Sequence, residues 1–257
     1  MVPISYQLYS SRNFDLDETL RMLSRHGIHE VEGYAPLYQN LDASKQRLDQ
    51  YGMSMPTGHF AIELVEEDPT SCLAIARTLQ IQSVIVPFLT PDQRPSDSDG
   101  WYRLGQRLSA MGKPMRDAGL GFGWHNHDFE FLPCENGSLP LECLAESCPE
   151  LQLELDLAWI HVSGQDPVAW VEKFSDRILA VHVKDRAPPG ENSDEDGWAD
   201  VGHGTMEWDR ISAALNKAQA PRYILEHDNP LDPDRFVQRS LATVKAFQLS
   251  HINEGGS

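Results

Sequence analysis

The sequence predicts a single (β/α)8 barrel. Short apolar or β-branched runs alternate with longer amphipathic segments from one end to the other. Eight such pairs can be counted, and at roughly 30 residues each they fill the 257 residues with no break in composition. A doubly wound sheet is the rival architecture. It would use fewer strands and often carries a glycine fingerprint after the first, where Tyr6-Gln-Leu-Tyr-Ser-Ser11 contains no glycine.

The elements follow in order. The first strand spans residues 4–8, and Asp15 then opens a helix as its N-cap with Glu18 three residues later; Gly27 stops that helix ahead of the second strand at 30–33. The third and fourth strands, 53–60 and 83–88, are each followed by a helical pattern. The longest helix covers 99–117, with Leu104, Leu108 and Met111 at helical spacing, Gly119 as its stop and Pro114 as a kink or the start of its last turn. The fifth and sixth strands are 121–125 and 152–156. Asp166-Pro167 begins a short helix through Val171, because proline suits the first helical position. The seventh strand is 178–183, the eighth is 223–226, and Asp232-Pro-Asp234 starts a last helix that runs to about Leu249. The barrel therefore occupies residues 1–252, and 253–257 reads as a frayed tail. The polar stretches 91–100 and 186–204 lie between a strand and its helix and read as active loops.

Composition narrows the function. There are 39 Asp plus Glu against 21 Lys plus Arg, a formal net charge of −18, which disfavours nucleic-acid and membrane partners because both demand a basic surface. The opening residues show no basic and apolar leader, and no stretch approaches the roughly 18 apolar residues of a membrane helix, so a cytoplasmic protein is expected. Cys72, Cys134, Cys143 and Cys148 include no Cys-x-x-Cys pair and read as reduced thiols.

Barrel chemistry sits at the C-terminal ends of the strands. Four ends stand out: Trp124-His-Asn-His-Asp-Phe-Glu-Phe131, Leu153-Glu-Leu-Asp156, Val181-His-Val-Lys-Asp185 and Ile224-Leu-Glu-His-Asp228. Charge in a barrel mouth is expensive unless it is paired or ligates a cation. Glu130, Asp156, His182 and Glu226 are therefore the expected ligands of one divalent ion. Three carboxylates and one imidazole suit Mn2+ first, with Mg2+, Co2+ or Zn2+ as alternatives. Each of these residues taken alone would read as an ordinary loop charge. Period two places His125 and His127 on one side of the fifth strand, so a histidine could also ligate in place of Glu130, or either could act as acid or base. His127 is the expected base, and His125 reads as a contact to substrate or a supporting hydrogen bond. Glu32, His59, Lys184 and Trp159 are further candidates for contact with a hydroxylated ligand, set against structural hydrogen bonding for the polar groups and core packing for the tryptophan.

The strings GFGWHNHDFEF (121–131), LELDLAWIHVSGQDP (153–167), ILAVHVKD (178–185), DVGHGTMEW (200–208) and YILEHD (223–228) resemble the sugar phosphate isomerase/epimerase family. That family has the xylose-isomerase-like barrel and shares its superfamily with inosose dehydratase, hydroxypyruvate isomerase, the ketose 3-epimerases and endonuclease four. The likeness runs through the second half and more faintly through VEGYAP (31–36) and TGHFAIELV (57–65). It implies a metal on Glu130, Asp156, His182 and Glu226, with Glu130 and Glu226 in the places of the two proton-transferring glutamates of the epimerases. The HNHDFE string departs from the epimerase pattern toward the branch that handles keto-sugars and inososes, in which His127 matches the base. His203 stands where the family often has glutamate, and so reads as a substrate contact. The implied activity is metal-assisted proton abstraction next to a carbonyl through an enediolate, on a sugar or cyclitol. An inosose dehydratase-like or 3-keto-glycoside lyase reaction is the alternative on the same site. A non-catalytic sugar-binding subunit and an endonuclease-four-like phosphodiesterase are weaker readings, the last opposed by the acidic charge. Self-association into a homo-oligomer is left open by the sequence.

Overall fold

The structure, a computed structural model, describes residues 1–254, and the side chains of residues 1–250. The alternating runs of the sequence become β1 (Ile4–Gln7), β2 (Glu30–Gly33), β3 (Ser54–His59), β4 (Ser83–Val86), β5 (Gly121–His125), β6 (Gln152–Asp156), β7 (Ile178–Val183) and β10 (Tyr223–Leu225), with a two-stranded ribbon of β8 (Asp185–Arg186) and β9 (Trp198–Ala199) before the last of them. The eight barrel strands are parallel and close in the order β1-β10-β7-β6-β5-β4-β3-β2. The (β/α)8 barrel is therefore as expected. Strands two, five, six and seven keep the expected bounds, while the others lose one or two residues at their ends.

With the strands run α1 (Leu16–Arg25), α2 (Leu41–Gln50), α3 (Ile62–Glu67), α4 (Pro69–Leu79), α5 (Ser98–Asp117), α6 (Pro140–Ser147), α7 (Leu157–Val162), α8 (Pro167–Lys173), α9 (Trp208–Lys217) and α10 (Pro233–Glu254), and local chemistry sets their starts. Asp15 accepts from the Glu18 N–H at 3.0 Å to open α1 (Leu16–Arg25), and Asp97 accepts from Gly100 N–H at 2.7 Å to open α5 (Ser98–Asp117). Asp166 caps α8 (Pro167–Lys173), whose proline occupies the first turn. Helix α5 continues through Pro114, which lies in its last turn. The final helix, α10 (Pro233–Glu254), enters the segment expected as a tail, and residues 255–257 lie outside the described residues.

The hydrophobic core lies between sheet and helices. Leu20 and Leu23 of α1, Leu108 and Met115 of α5, and Phe236 and Val244 of α10 are buried in one cluster with the strand residues Val31, Phe122 and Val181. Burying each such side chain contributes roughly 1.5–3 kcal/mol. Helix α5 also packs closely on α6 (Pro140–Ser147): a Cβ on Gly105 would collide with the Ser147 hydroxyl and approach the Leu144 carbonyl to 2.9 Å, so only glycine fits there.

The barrel interior is polar where apolar layers are the norm. Ser5, Gln7, Glu32, Thr57, Glu154 and His182 are all buried. Period two along β6 puts Glu154 on the same face as Asp156, one layer deeper. The polar stretch 186–204 carries the ribbon and the turn between its two strands. Asp185 organises it, accepting from the backbone N–H groups of Gly202 and Met206 and from Trp208 Nε1 at 2.8 Å. Arg235 of α10 pairs with Glu195 and Asp200, so much of the acidity in this loop is structural.

Candidate active site

Two neighbouring groups of side chains occupy the C-terminal mouth. In the first, His125, Asp156, His182 and Glu226 bring four potential ligand atoms within 4.8 Å of one another. Register explains the approach: Asp156 pairs with His182 across β6 and β7, and Glu226 follows directly after β10. The second group, His59, His125, Glu154 and His182, shares both histidines with the first. His182 links the two through its ring. Its Nδ1 lies 2.8 Å from Glu226 Oε2, and its Nε2 lies 2.8 Å from Glu32 Oε1 and 3.2 Å from Glu154 Oε2. His59 Nε2 completes the floor, 2.7 Å from Glu154 Oε2 and 3.1 Å from Glu32 Oε1.

Burial opposes charge on all of these groups, and the balance of partners decides each one. Glu32 is held well below the carboxylate range by His59 and His182 despite its burial, while His59 is driven up to about 10 by Glu32 and Glu154. Burial and then the neighbouring His182 push His125 well down, leaving its imidazole neutral and able to ligate.

Lys184 closes one side. It is fully buried, with Nζ 2.5 Å from Asp228, 3.5 Å from Glu226 and 3.7 Å from Asp156, and it lies 4.1 Å from the centre of the Trp198 ring. On the open side is a cavity of about 550 Å3 whose inner lining includes His59, His125, His127, Glu226 and Asp228. His127 packs edge-on against Phe88 at 5.2 Å and tilted against Trp159 at 5.5 Å.

Residues 20–247 match the profile of the xylose isomerase-like TIM barrel family. The chain belongs to that family. Among solved structures, this xylose isomerase-like barrel resembles a sugar phosphate isomerase/epimerase from Parabacteroides distasonis (20% identity, TM-score 0.78, 95% of this chain and 94% of that one). It also resembles an IolI protein with a bound zinc atom (15%, 0.73, 96% and 98%) and a D-tagatose 3-epimerase-like protein (19%, 0.72, all of both chains). At these identities the likeness is one of fold. No curated protein sequence matches the chain. Among the described residues of this barrel, no helix is long and apolar enough to cross a membrane.

The donor set of this xylose isomerase-like barrel fits a divalent ion. Asp156 Oδ2 and Glu154 Oε1 are buried with no hydrogen-bond partner; His125 Nδ1 lies 3.2 Å from Glu154 Oε2 but without hydrogen-bond geometry. A buried polar atom left unpaired costs about 1–3 kcal/mol, and a cation held by the first group would satisfy Asp156 and His125. Two carboxylates and two imidazoles suit Mn2+, Co2+ or Zn2+ better than Mg2+, which prefers an all-oxygen shell.

Several expected contacts fall elsewhere in the xylose isomerase-like barrel. Asp156, His182 and Glu226 converge, and the fourth residue of their group is His125, the histidine alternative, while Glu130 lies outside it. The chain turns after β5 into a short 3-10 helix (Phe129–Phe131), which swings Glu130 back toward Trp124. Its Oε1 accepts from Trp124 Nε1 at 3.0 Å and its Oε2 from the His127 N–H at 2.9 Å. Glu32 is buried in the floor against His59 and His182, and Lys184 is buried under Trp198 rather than open to a ligand. Trp159 supports His127 and stacks edge-on with Trp198 at 4.9 Å. His203 is exposed and lines a separate pocket of about 260 Å3 beside Arg235 and Arg239, because the ribbon carries it away from the mouth. Glu154, Tyr9, Arg12 and Phe88 belong to the region and escaped the sequence reading. The Glu-x-Asp spacing on β6 was the available signal for Glu154.

Burial pushes the Glu130 carboxyl up to about 8. A raised acid means that the folded state holds the proton more tightly than the unfolded chain. Its contribution to stability is complete in acid and is lost as pH rises through about 8. In metal-free protein, Glu130→Gln is expected to flatten the fall in melting temperature between about pH 5 and pH 8. Melting curves across that range test this, and an unchanged slope in the variant would show Glu130 to be ionised in the fold.

Proposed function

We propose that this chain is a divalent-metal-dependent isomerase or epimerase of keto-sugars or cyclitols that removes a proton next to a carbonyl. The observation that carries the reading is the convergence of His125, Asp156, His182 and Glu226 at the floor of a cavity beside the unpartnered imidazole Nδ1 of His127. These four residues would hold the metal, with Mn2+ the first choice. When bound, the ion supplies a Lewis acid for the carbonyl oxygen and offsets negative charge as the proton leaves.

The chain's own residues do the rest. Burial, then the Lys184 charge, lowers His127 to about 3, so its ring is neutral at physiological pH and a weak base until negative charge stands beside it. Negative charge developing on a sugar beside it raises that value toward the working pH. Glu226 lines the cavity from the β10 side, three strands around the barrel from β5, so the two groups can address different sides of a bound ring. With Glu130 turned away, His127 takes the proton-transferring place on the β5 side. Glu32 and Glu154 hold the far nitrogen of His182 and so fix its orientation, as partners of ligating histidines commonly do.

The test is exchange of substrate C–H protons into deuterated water over a panel of keto-sugars and inososes. EDTA is expected to abolish exchange and Mn2+ or Co2+ to restore it; undiminished exchange without metal would overturn the mechanism. His127→Ala is expected to keep the metal and lose exchange by about 100-fold or more. Retained exchange would move the base to another residue.

A further inference from the structure

The cavity is divided by its chemistry. Its floor is the charged cluster, whereas its rim is largely aromatic and apolar, with Tyr9 after β1, Tyr34 after β2, Ile62 after β3 and Phe88 after β4 standing beside Arg12 and Glu63. Tyr9 and Phe88 are each 41% exposed, which is unusual for large rings beside a buried polar centre. Both are held in place. Tyr34 packs edge-on against Tyr9 at 5.6 Å, and the Arg12 guanidinium covers Tyr9 at 4.2 Å while donating to the Asp228 carbonyl. Phe88 is braced by His127 from below and by Arg94 at 5.2 Å. At about 550 Å3 the cavity falls in the range of roughly 300–1,000 Å3 that accepts ligands well above monosaccharide size.

We infer that the rim is a second-ring subsite, and that the substrate is a keto-glycoside whose keto-bearing ring lies on the floor while a second ring lies against Tyr9 and Phe88. The inference rests on the reading of the floor as a keto-sugar site. What the rim recognises is a flat ring with an apolar face, which an aryl group or a second sugar can offer. Thr90 and Gln93 stand at the same edge, with the Gln93 amide held by the Thr90 N–H and by Glu63.

The experiment titrates the Mn2+-loaded protein calorimetrically with methyl β-D-glucoside, 4-nitrophenyl β-D-glucoside and cellobiose. These share one ring and lack the carbonyl needed for turnover. A second ring is expected to tighten binding by about 5-fold over the methyl glycoside. The 4-nitrophenyl and cellobiose arms tell an aryl from a sugar preference. Tyr9→Ala and Phe88→Ala are each expected to remove the advantage and leave the methyl glycoside unchanged, with melting curves confirming that the variants fold. Equal affinities for all three ligands, or no binding of any, would overturn the subsite. Failure of proton exchange with the ring preference intact would instead strike the proposed reaction and leave the subsite standing.

Discussion

Replacing His125 with alanine is expected to weaken Mn2+ binding by about 100-fold or more, while Glu130→Gln leaves it nearly unchanged. The size follows from ligand arithmetic: losing a partner that merely supports a ligand already costs about 10- to 100-fold, and losing one of four direct donors costs at least the upper figure. The contrast follows from position. His125 ends β5 with a neutral ring inside the cluster, whereas both Glu130 oxygens are engaged by Trp124 and the His127 N–H on the other side of the strand. Calorimetric titration of each metal-stripped protein at pH 7 measures the difference. The reverse result, with Glu130→Gln losing the metal and His125→Ala keeping it, would mean that the loop after β5 rearranges around the ion and that the sequence-level ligand set was right.

That contrast also marks where the sequence stopped being legible. The positions of Asp156, His182 and Glu226 could be read because each lies within one residue of the end of a regular strand, where alternation of period two still fixes which side chain faces the axis. Glu130 lies five residues past the end of β5, and alternation says nothing once the chain leaves the strand. Glu154 was readable by the same rule that placed Asp156, yet barrel interiors are ordinarily apolar, and that expectation hid a glutamate one layer down. Lys184 was read as open because nothing in the polar stretch 186–204 announces a ribbon that lays Trp198 over it. The aromatic rim depends on residues from four separate loops whose convergence only barrel closure creates.

Lys184→Met provides the second large effect: it lowers the stability of the metal-free protein and tightens its hold on metal. In the metal-free protein the ammonium is the buried counter-charge of Asp228, Glu226 and Asp156. Burial alone would lower its pKa, yet these carboxylates raise it above the ordinary lysine value, so it is charged at every working pH. Removing one partner of a buried ion pair costs about 3–5 kcal/mol because the others stay buried without compensation. At about 2–4 °C per kcal/mol for a chain of this size, the melting temperature should fall by about 10 °C. Two of the three orphaned carboxylates, Asp156 and Glu226, are also in the metal cluster. A cation bound there competes with Lys184 for the same oxygens and is repelled by its charge, so the variant should bind Mn2+ more tightly than the wild type. Since a ligand stabilises by RT ln(1 + [L]/Kd), saturating Mn2+ should then raise the melting temperature more in Lys184→Met than in the parent and close much of the gap between them. Melting curves with and without Mn2+ decide the matter. A variant that melts low and gains nothing extra from the metal would show that Lys184 orients the carboxylates for the ion rather than standing in for it.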